Sequence, residues 1–209
     1  MNEEITLRQF LPEDSAALET IIRETWNYDQ LCSPKTAARL AKVYLYSCLT
    51  NQTFTQVALY KGVPVGIIMG KNNSTHKCPV NLRLKQFFSV ISLYISREGR
   101  NVSNIFKNVS TIDKELLQKS PLTYDGEVAF FAVSPRYRGK GIGKILFNSL
   151  LEYMRSENIH IIYLYTDTTC NYAFYEYQGM YRRCQKTHTF QIGPQQSQMT
   201  FFLYDHQIL

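Results

Sequence analysis

Between the apolar run "EVAFFAV" at 127–133 and a helical pattern starting near Ile142 lies "SPRYRGKGIGK", residues 134–144. It combines a proline, the cations Arg136, Arg138, Lys140 and Lys144, and the glycines Gly139, Gly141 and Gly143. Neither a strand nor a helix is built this way, because alternating glycines cost backbone entropy and return no packing. At a strand-to-helix junction, however, glycines let the chain turn sharply and let a ligand approach the amides. The first N–H groups of the following helix have no intrahelical partner, and the helix dipole adds positive potential. The natural occupant is an anion, phosphate above all.

Spacing excludes two common phosphate loops. The P-loop G-x-x-x-x-G-K-[ST] fails, since Arg138 stands five before Gly143 and Ile145 replaces the Ser or Thr. The dinucleotide pattern G-x-G-x-x-G fails, since Lys144 takes the place of its last glycine. What remains is Arg138-x-x-Gly141-x-Gly143.

The 209 residues are read as one domain, 1–209, carrying an insertion. No apolar run reaches the ~18 residues of a membrane span, and the acidic N-terminus lacks a secretion segment. The five cysteines are scattered, with no C-x-x-C pair, so neither a disulfide framework nor a metal site is expected. A reduced, cytoplasmic setting follows, with neither membrane nor nucleic acid as partner.

Along the chain, "EITLRQF" reads as a strand and Pro12-Glu13-Asp14-Ser15 starts a helix. A second helix runs from Ser33-Pro34 to Cys48, with Ser33 as N-cap. Residues 54–71 read as a hairpin about Lys61-Gly62. Helical spacing marks 80–96, and a short helix is expected over 112–119. Residues 127–133 are a buried strand, and Ile142 to Tyr153 an amphipathic helix. Then come the strand "IHIIYLYT", a short helix Asn171–Tyr177 closed by Gly179, and two strands around Gly193-Pro194. This order reads as an α/β fold, and the family resemblance given below implies that its sheet is mixed and twisted, flanked by helices.

The net charge of +6 is confined to one segment. Residues 71–120 hold nine Lys/Arg against Glu98, Asp113 and Glu115, and the remainder is balanced at 14 against 14. Such a run is either a solvated helical face or a basic surface facing an anion. The segment is a basic helical insertion before the strand 127–133, and long connections of this kind are usually functional. Its aromatic content suits a cover over a substrate site or an oligomer face such as a homodimer's. As a border of an acceptor site, it would favour neutral or anionic acceptors.

"AVSPRYRGKGIGKIL" resembles motif A of the GNAT N-acetyltransferase superfamily, Q/R-x-x-G-x-G/A, and "NYAFYEYQGMYR" resembles its motif B. The specific likeness covers roughly 127–182. It implies an acyl-CoA-dependent N-acyltransferase with acetyl-CoA as donor and a small-molecule or peptide amine as acceptor. The resemblance places the pyrophosphate on the amides of Arg138, Gly139, Lys140, Gly141, Ile142, Gly143 and Lys144. The pantetheine would lie along Phe131, Ala132 and Val133 like an added strand, on an edge opened where the strand after the motif-A helix splays away. Asn171 would hold the cofactor tail or, alternatively, cap its helix.

Acyl transfer to an amine calls for an acid at the leaving sulfur and a base for the ammonium proton. Tyr175 matches the motif-B tyrosine that often serves as the acid, against a packing role among clustered tyrosines. Glu127 matches a position where relatives carry an acid, and a water relay and a salt bridge are both open to it. Strand alternation puts Glu127 and Val133, six apart, on one face. Ala129 stands where some relatives have a second acid. His188, on a late strand, is a weaker base. A non-catalytic acyl-CoA-binding module on the same fold is the alternative. A nucleic-acid-binding reading of the basic segment lacks any recognisable motif.

Overall fold

The computed structural model describes residues 4–192 and 195–208. The turn expected at Gly193-Pro194 lies outside them. The chain forms β1 (Ile5–Arg8), α1 (Ser15–Thr25), α2 (Tyr28–Leu31), α3 (Pro34–Leu49), β2 (Phe54–Tyr60) and β3 (Val63–Asn72). The insertion follows as α4 (Val80–Tyr94) and α5 (Arg97–Lys119). Then come β4 (Gly126–Val133), α6 (Ile142–Ser156), β5 (Ile161–Asp167), α7 (Ala173–Tyr177), β6 (Tyr181–Ile192) and β7 (Gln195–Gln207). The mixed α/β sheet inferred from the sequence is present, with strand order β1-β2-β3-β4-β5-β7-β6 and every pair antiparallel except β4 with β5.

Alternation along the strands distributes two cores. On one face α6 packs Leu146, Phe147 and Leu150 against Ile68, Ile162, Leu164 and Tyr204. The fit is close: a Cβ at Gly70 of β3 would lie 2.3 Å from Cδ1 of Leu150, so this position holds no side chain. On the other face α1 and α3 bring Leu18, Ile22 and Leu45 onto Val57, Ile67, Met69 and Phe130. The end of α5 covers the rest of that face, burying Ile112 and Leu116 against Phe190, Phe201 and Leu203.

The insertion departs from expectation in length. Instead of a short helix over 112–119, α5 runs 23 residues from Arg97. Its first part is rich in Asn, Ser and Thr, poor helix formers. The apolar positions Val102, Phe106, Val109, Ile112 and Leu116 nevertheless recur on one side, and tertiary packing overrides propensity there. The start of α5 is capped by Ser96 and tied to the start of α3 by Glu98. The Ser96 hydroxyl accepts from the Gly99 N–H at 3.0 Å. The Glu98 carboxylate accepts from the Ser33 N–H at 2.8 Å and the Ser33 hydroxyl at 2.6 Å. Ser33 thus serves α3 through Glu98 of the insertion, and its own side chain makes no cap bond. These bonds, the Ser33 hydroxyl first, hold the Glu98 carboxyl below its ordinary range.

Candidate active site

Strands β4 and β5 pair at only two positions, Gly126 with Ile162 and Glu127 with Tyr163. From Val128 to Val133, β4 has β3 on one side and no strand partner on the other. The splay expected beside the motif-A helix is therefore present. At its mouth the chain turns through Pro135–Tyr137 into α6. Gly139 and Gly141 have φ of +77° and +80°, the left-handed region. The first helical bond of α6 runs from the Ile145 N–H to the Gly141 carbonyl, at 3.1 Å. The amides of Ile142, Gly143 and Lys144 precede it and are free of intrahelical partners. A Cβ on Gly139 or Gly141 would meet nothing within 4 Å, so glycine serves backbone conformation there, not crowding. Gly143 differs, since its Cβ would rest 3.4 Å from the Phe174 ring at an ordinary φ.

The wedge between the splayed strands is a cleft of about 350 Å³. Phe131, Ala132, Val133, Arg138, Gly139, Gly141, Ile142, Gly143, Lys144, Asn171 and Tyr175 all line it. Residues forty positions apart in sequence are thus brought to one surface. The Lys140 side chain is the exception among the predicted loop residues. Its Nζ lies 5.0 Å from the centroid of the Tyr60 ring, and Lys140 does not line the cleft. The N-cap position of α7 falls on Tyr172, one residue after Asn171, and Asn171 itself lines the cleft. Tyr137 and Phe174, within the two motifs, also line it, as do Thr25, Trp26, Thr169 and Cys170, which no sequence motif marked. Trp26 is the chain's one tryptophan, stacked at 5.9 Å on Phe130 and 5.2 Å from Tyr44, a hint that single large aromatics of a first helix can carry.

Tyr175 sits beside Phe174 and Phe131, with centroids 5.6 and 6.4 Å away. Among the described residues its hydroxyl makes no hydrogen bond. Desolvation pushes the phenol well above its ordinary value, and Cys170 and Asp167 add to the shift. A phenol in this setting is neutral at physiological pH.

Glu127 does not line the cleft. It lies where the strands begin to part, with Nδ2 of Asn51 at 3.3 Å and Nζ of Lys71 at 3.6 Å. The salt bridge open to it in the sequence is formed. The expectation that Glu127 and Val133 share a face is corrected. The β3–β4 register shifts between Met69 and Gly70, so that Val128 and Phe130 pair with consecutive β3 residues and Ala129 is extra. This bulge reverses parity along β4. Val128 and Val133 both turn toward α6, while Phe130 and Ala132 turn toward α1 and α3. Glu127 is on the α3 side, beside Asn51.

A second cavity of about 440 Å³ opens on that side, between α3, α4 and α5. Leu40, Tyr44, Leu93 and Phe106 line it, and Asp113 of α5 reaches it. Burial first, then the charges of Asp167 and Glu127, push the Asp113 carboxyl up to about 7. The insertion was read by its net positive charge, yet the charged groups it lends to this cavity are Lys107 and the acid Asp113. Arg83, Lys85, Arg97 and Arg100 line neither cavity. Arg100 is turned to the carbonyls of Tyr94 and Ile95 at the end of α4. His188 lies against Phe190 at 4.7 Å and lines neither cavity.

Residues 113–180 match the model of the acetyltransferase (GNAT) family, which bears out the resemblance read from the motifs. The whole chain has the GNAT fold. Ard1 from Thermoplasma volcanium superposes with a TM-score of 0.55 at 17% identity, over 99% of each chain. The ribosomal-protein-S18-alanine N-acetyltransferase of Escherichia coli gives 0.52 at 9% identity, over 98% of this chain and 94% of its own. Salmonella typhimurium yncA, solved with its cofactor acetyl-CoA, gives 0.53 at 17%, over 99% and 95%. No curated protein matches the sequence.

Proposed function

We propose that the chain is a single-domain acyl-CoA-dependent N-acyltransferase that moves an acetyl group from acetyl-CoA to a primary amine. One observation carries this reading. The open edge of β4, Val128–Val133, runs without interruption into the glycine loop, and both face the same cleft. An unpaired strand edge can hydrogen-bond an extended pantetheine main chain. The loop amides and the start of α6, with Arg138 and Lys144, suit a pyrophosphate. The acetyl-CoA complex of the similarly folded yncA supports the same donor.

In this reading the amine nitrogen attacks the thioester carbonyl, the C–N bond forms, and the C–S bond breaks. Tyr175 gives its proton to the departing thiolate, for which a desolvated neutral phenol is suited. Asn171 holds the cofactor tail. Glu127 takes the ammonium proton through water, since it stands outside the cleft itself. The acceptor enters from the α3 side, where Asp113 and Glu127 lie.

The pairing of Glu127 with Lys71 favours one second reading, a module that binds acyl-CoA without turnover. Coenzyme A release from acetyl-CoA over a panel of peptides, polyamines, aminoglycosides and amino acids decides between them. Release with at least one amine supports the enzyme. Tight binding by calorimetry with no release on any amine supports the binding module.

A further inference from the structure

Helix α4 is apolar on two sides. Its inner side packs on α3, with Leu93 and Ser89 buried and Leu82 against the core. Its outer side is not covered. Val80, Leu84, Phe87, Phe88 and Ile91 on the helix, and Ile95 just beyond it, are between 44% and 76% exposed. Spaced by three or four residues, they form one continuous stripe along the helix. Scattered exposed apolar residues need no explanation, but a contiguous stripe with two phenylalanines at its centre marks an interaction surface. The two rings meet edge to face at 5.7 Å.

The charges beside the stripe select its partner. Residues 72–97 contain Lys77, Arg83, Lys85 and Arg97 and no Asp or Glu. The neighbouring helix α3 adds Lys35, Arg39 and Lys42, again with no carboxylate. The first acid after α4, Glu98, is turned inward to Ser33 and Thr36. A second copy docking by two-fold symmetry would set these cations against their own kind. An anionic lipid surface complements them. Apolar and aromatic side chains flanked by Lys and Arg are the composition of helices that lie in the membrane interface. None of the described helices is long and apolar enough to cross a membrane, so the contact is with the surface.

We propose that the outer face of α4 docks on anionic lipid bilayers, with Phe87, Phe88 and Ile91 seated among the headgroups and Lys77, Arg83, Lys85 and Arg97 over the lipid phosphates. The proposal stands apart from the acyl-transfer reading, since its readout needs no acyl donor. Co-sedimentation of the full chain is measured with vesicles of phosphatidylcholine alone and with about 30% phosphatidylserine added. Binding is expected on the anionic vesicles at least ~10-fold above the neutral ones, falling as salt rises. Phe87→Ser with Phe88→Ser is expected to lower it ~10-fold or more, with an unchanged thermal melt because both rings are exposed. Arg83→Gln with Lys85→Gln is expected to lower binding and flatten its salt dependence.

Absence of vesicle binding would overturn the proposal, as would binding untouched by the double serine variant. So would light scattering that shows a wild-type dimer and a monomeric double serine variant, which would assign the stripe to a second copy.

Discussion

Lys71 and Glu127 face each other across the β3–β4 ladder, with Nζ 3.6 Å from the carboxylate, and Glu127 is the last residue of β4 to pair with β5. The ion pair therefore marks the fork at which the sheet opens. Both side chains are largely withdrawn from solvent, at 20% and 12% exposure. Removing one partner of such a pair leaves the other poorly compensated. Glu127→Gln is expected to lower turnover ~10-fold or more while leaving acetyl-CoA affinity within ~2-fold, because the residue lies off the cleft. Steady-state kinetics beside calorimetry separate these effects. A fall in affinity equal to the fall in turnover would reduce Glu127 to a prop of the fork.

Gly141 caps α6 at φ +80°, with open space where a side chain would stand. A side chain there costs roughly 1–2 kcal/mol of backbone strain. It would also stand in the loop whose amides are assigned to pyrophosphate. Gly141→Val is expected to fold with a lowered melting temperature and to lose measurable acetyl-CoA binding. Gly143→Ala is the control for strain, since its φ is ordinary and its Cβ would touch Phe174 at 3.4 Å. Its melt should match the wild type. A folded Gly141→Val protein with unchanged calorimetric affinity would refute the loop assignment.

Tyr175→Phe removes one oxygen and little volume from a hydroxyl that bonds no described residue. The fold therefore loses no internal hydrogen bond, and the melt should be unaltered. Turnover should fall ~10²-fold or more with affinity for acetyl-CoA nearly constant. Full turnover in the variant, where chemistry limits the rate, would leave Tyr175 as packing.

Asp113 titrates ordinarily at 3.8 and is pushed up to about 7 in the fold, by burial first and then by Asp167 and Glu127. Between these values the folded chain holds a proton that the unfolded chain has released. Stability therefore declines as pH rises from about 4 to about 7. Asp113→Asn removes this slope. The variant's advantage in melting temperature should grow between pH 5 and pH 8, at ~2–4 °C per kcal/mol relieved. A constant difference across that range would remove Asp113 as the titrating group.

The cleft was legible in the sequence because it is built from backbone. The stretch Arg138–Gly143 holds two left-handed glycines, Gly139 and Gly141, and a helix start, and that geometry depends on local spacing alone. Strand and helix order followed from apolar periodicity for the same reason. What stayed hidden depends on long-range register. The extra residue Ala129 changes which way Glu127 points, and nothing in "EVAFFAV" announces it, since every residue there but Glu127 is apolar. The full extent of α5 was masked by its Asn and Ser content, and its apolar side is held by distant partners, the core of α1–α3 for Val102 and Phe106 and strands β6 and β7 for Ile112 and Leu116. Asp113 was outweighed by nine cations in a charge count that ignores direction.

The two-rung contact between β4 and β5 divides the sheet mechanically. Strands β1 to β4 form one plate and β5, β7 and β6 another, joined by Gly126 with Ile162 and Glu127 with Tyr163. Beyond that seam, α6 on one face and the helices on the other act as splints rather than as bonds between the plates. A ligand laid in the gap would act as mortar. It would occupy the idle edge of β4 and add a further tie between the two plates. Amide exchange along Val128–Val133 would then slow on binding by far more than exchange in β2 or β6, and the wedge that admits the ligand would double as the expansion joint of the fold.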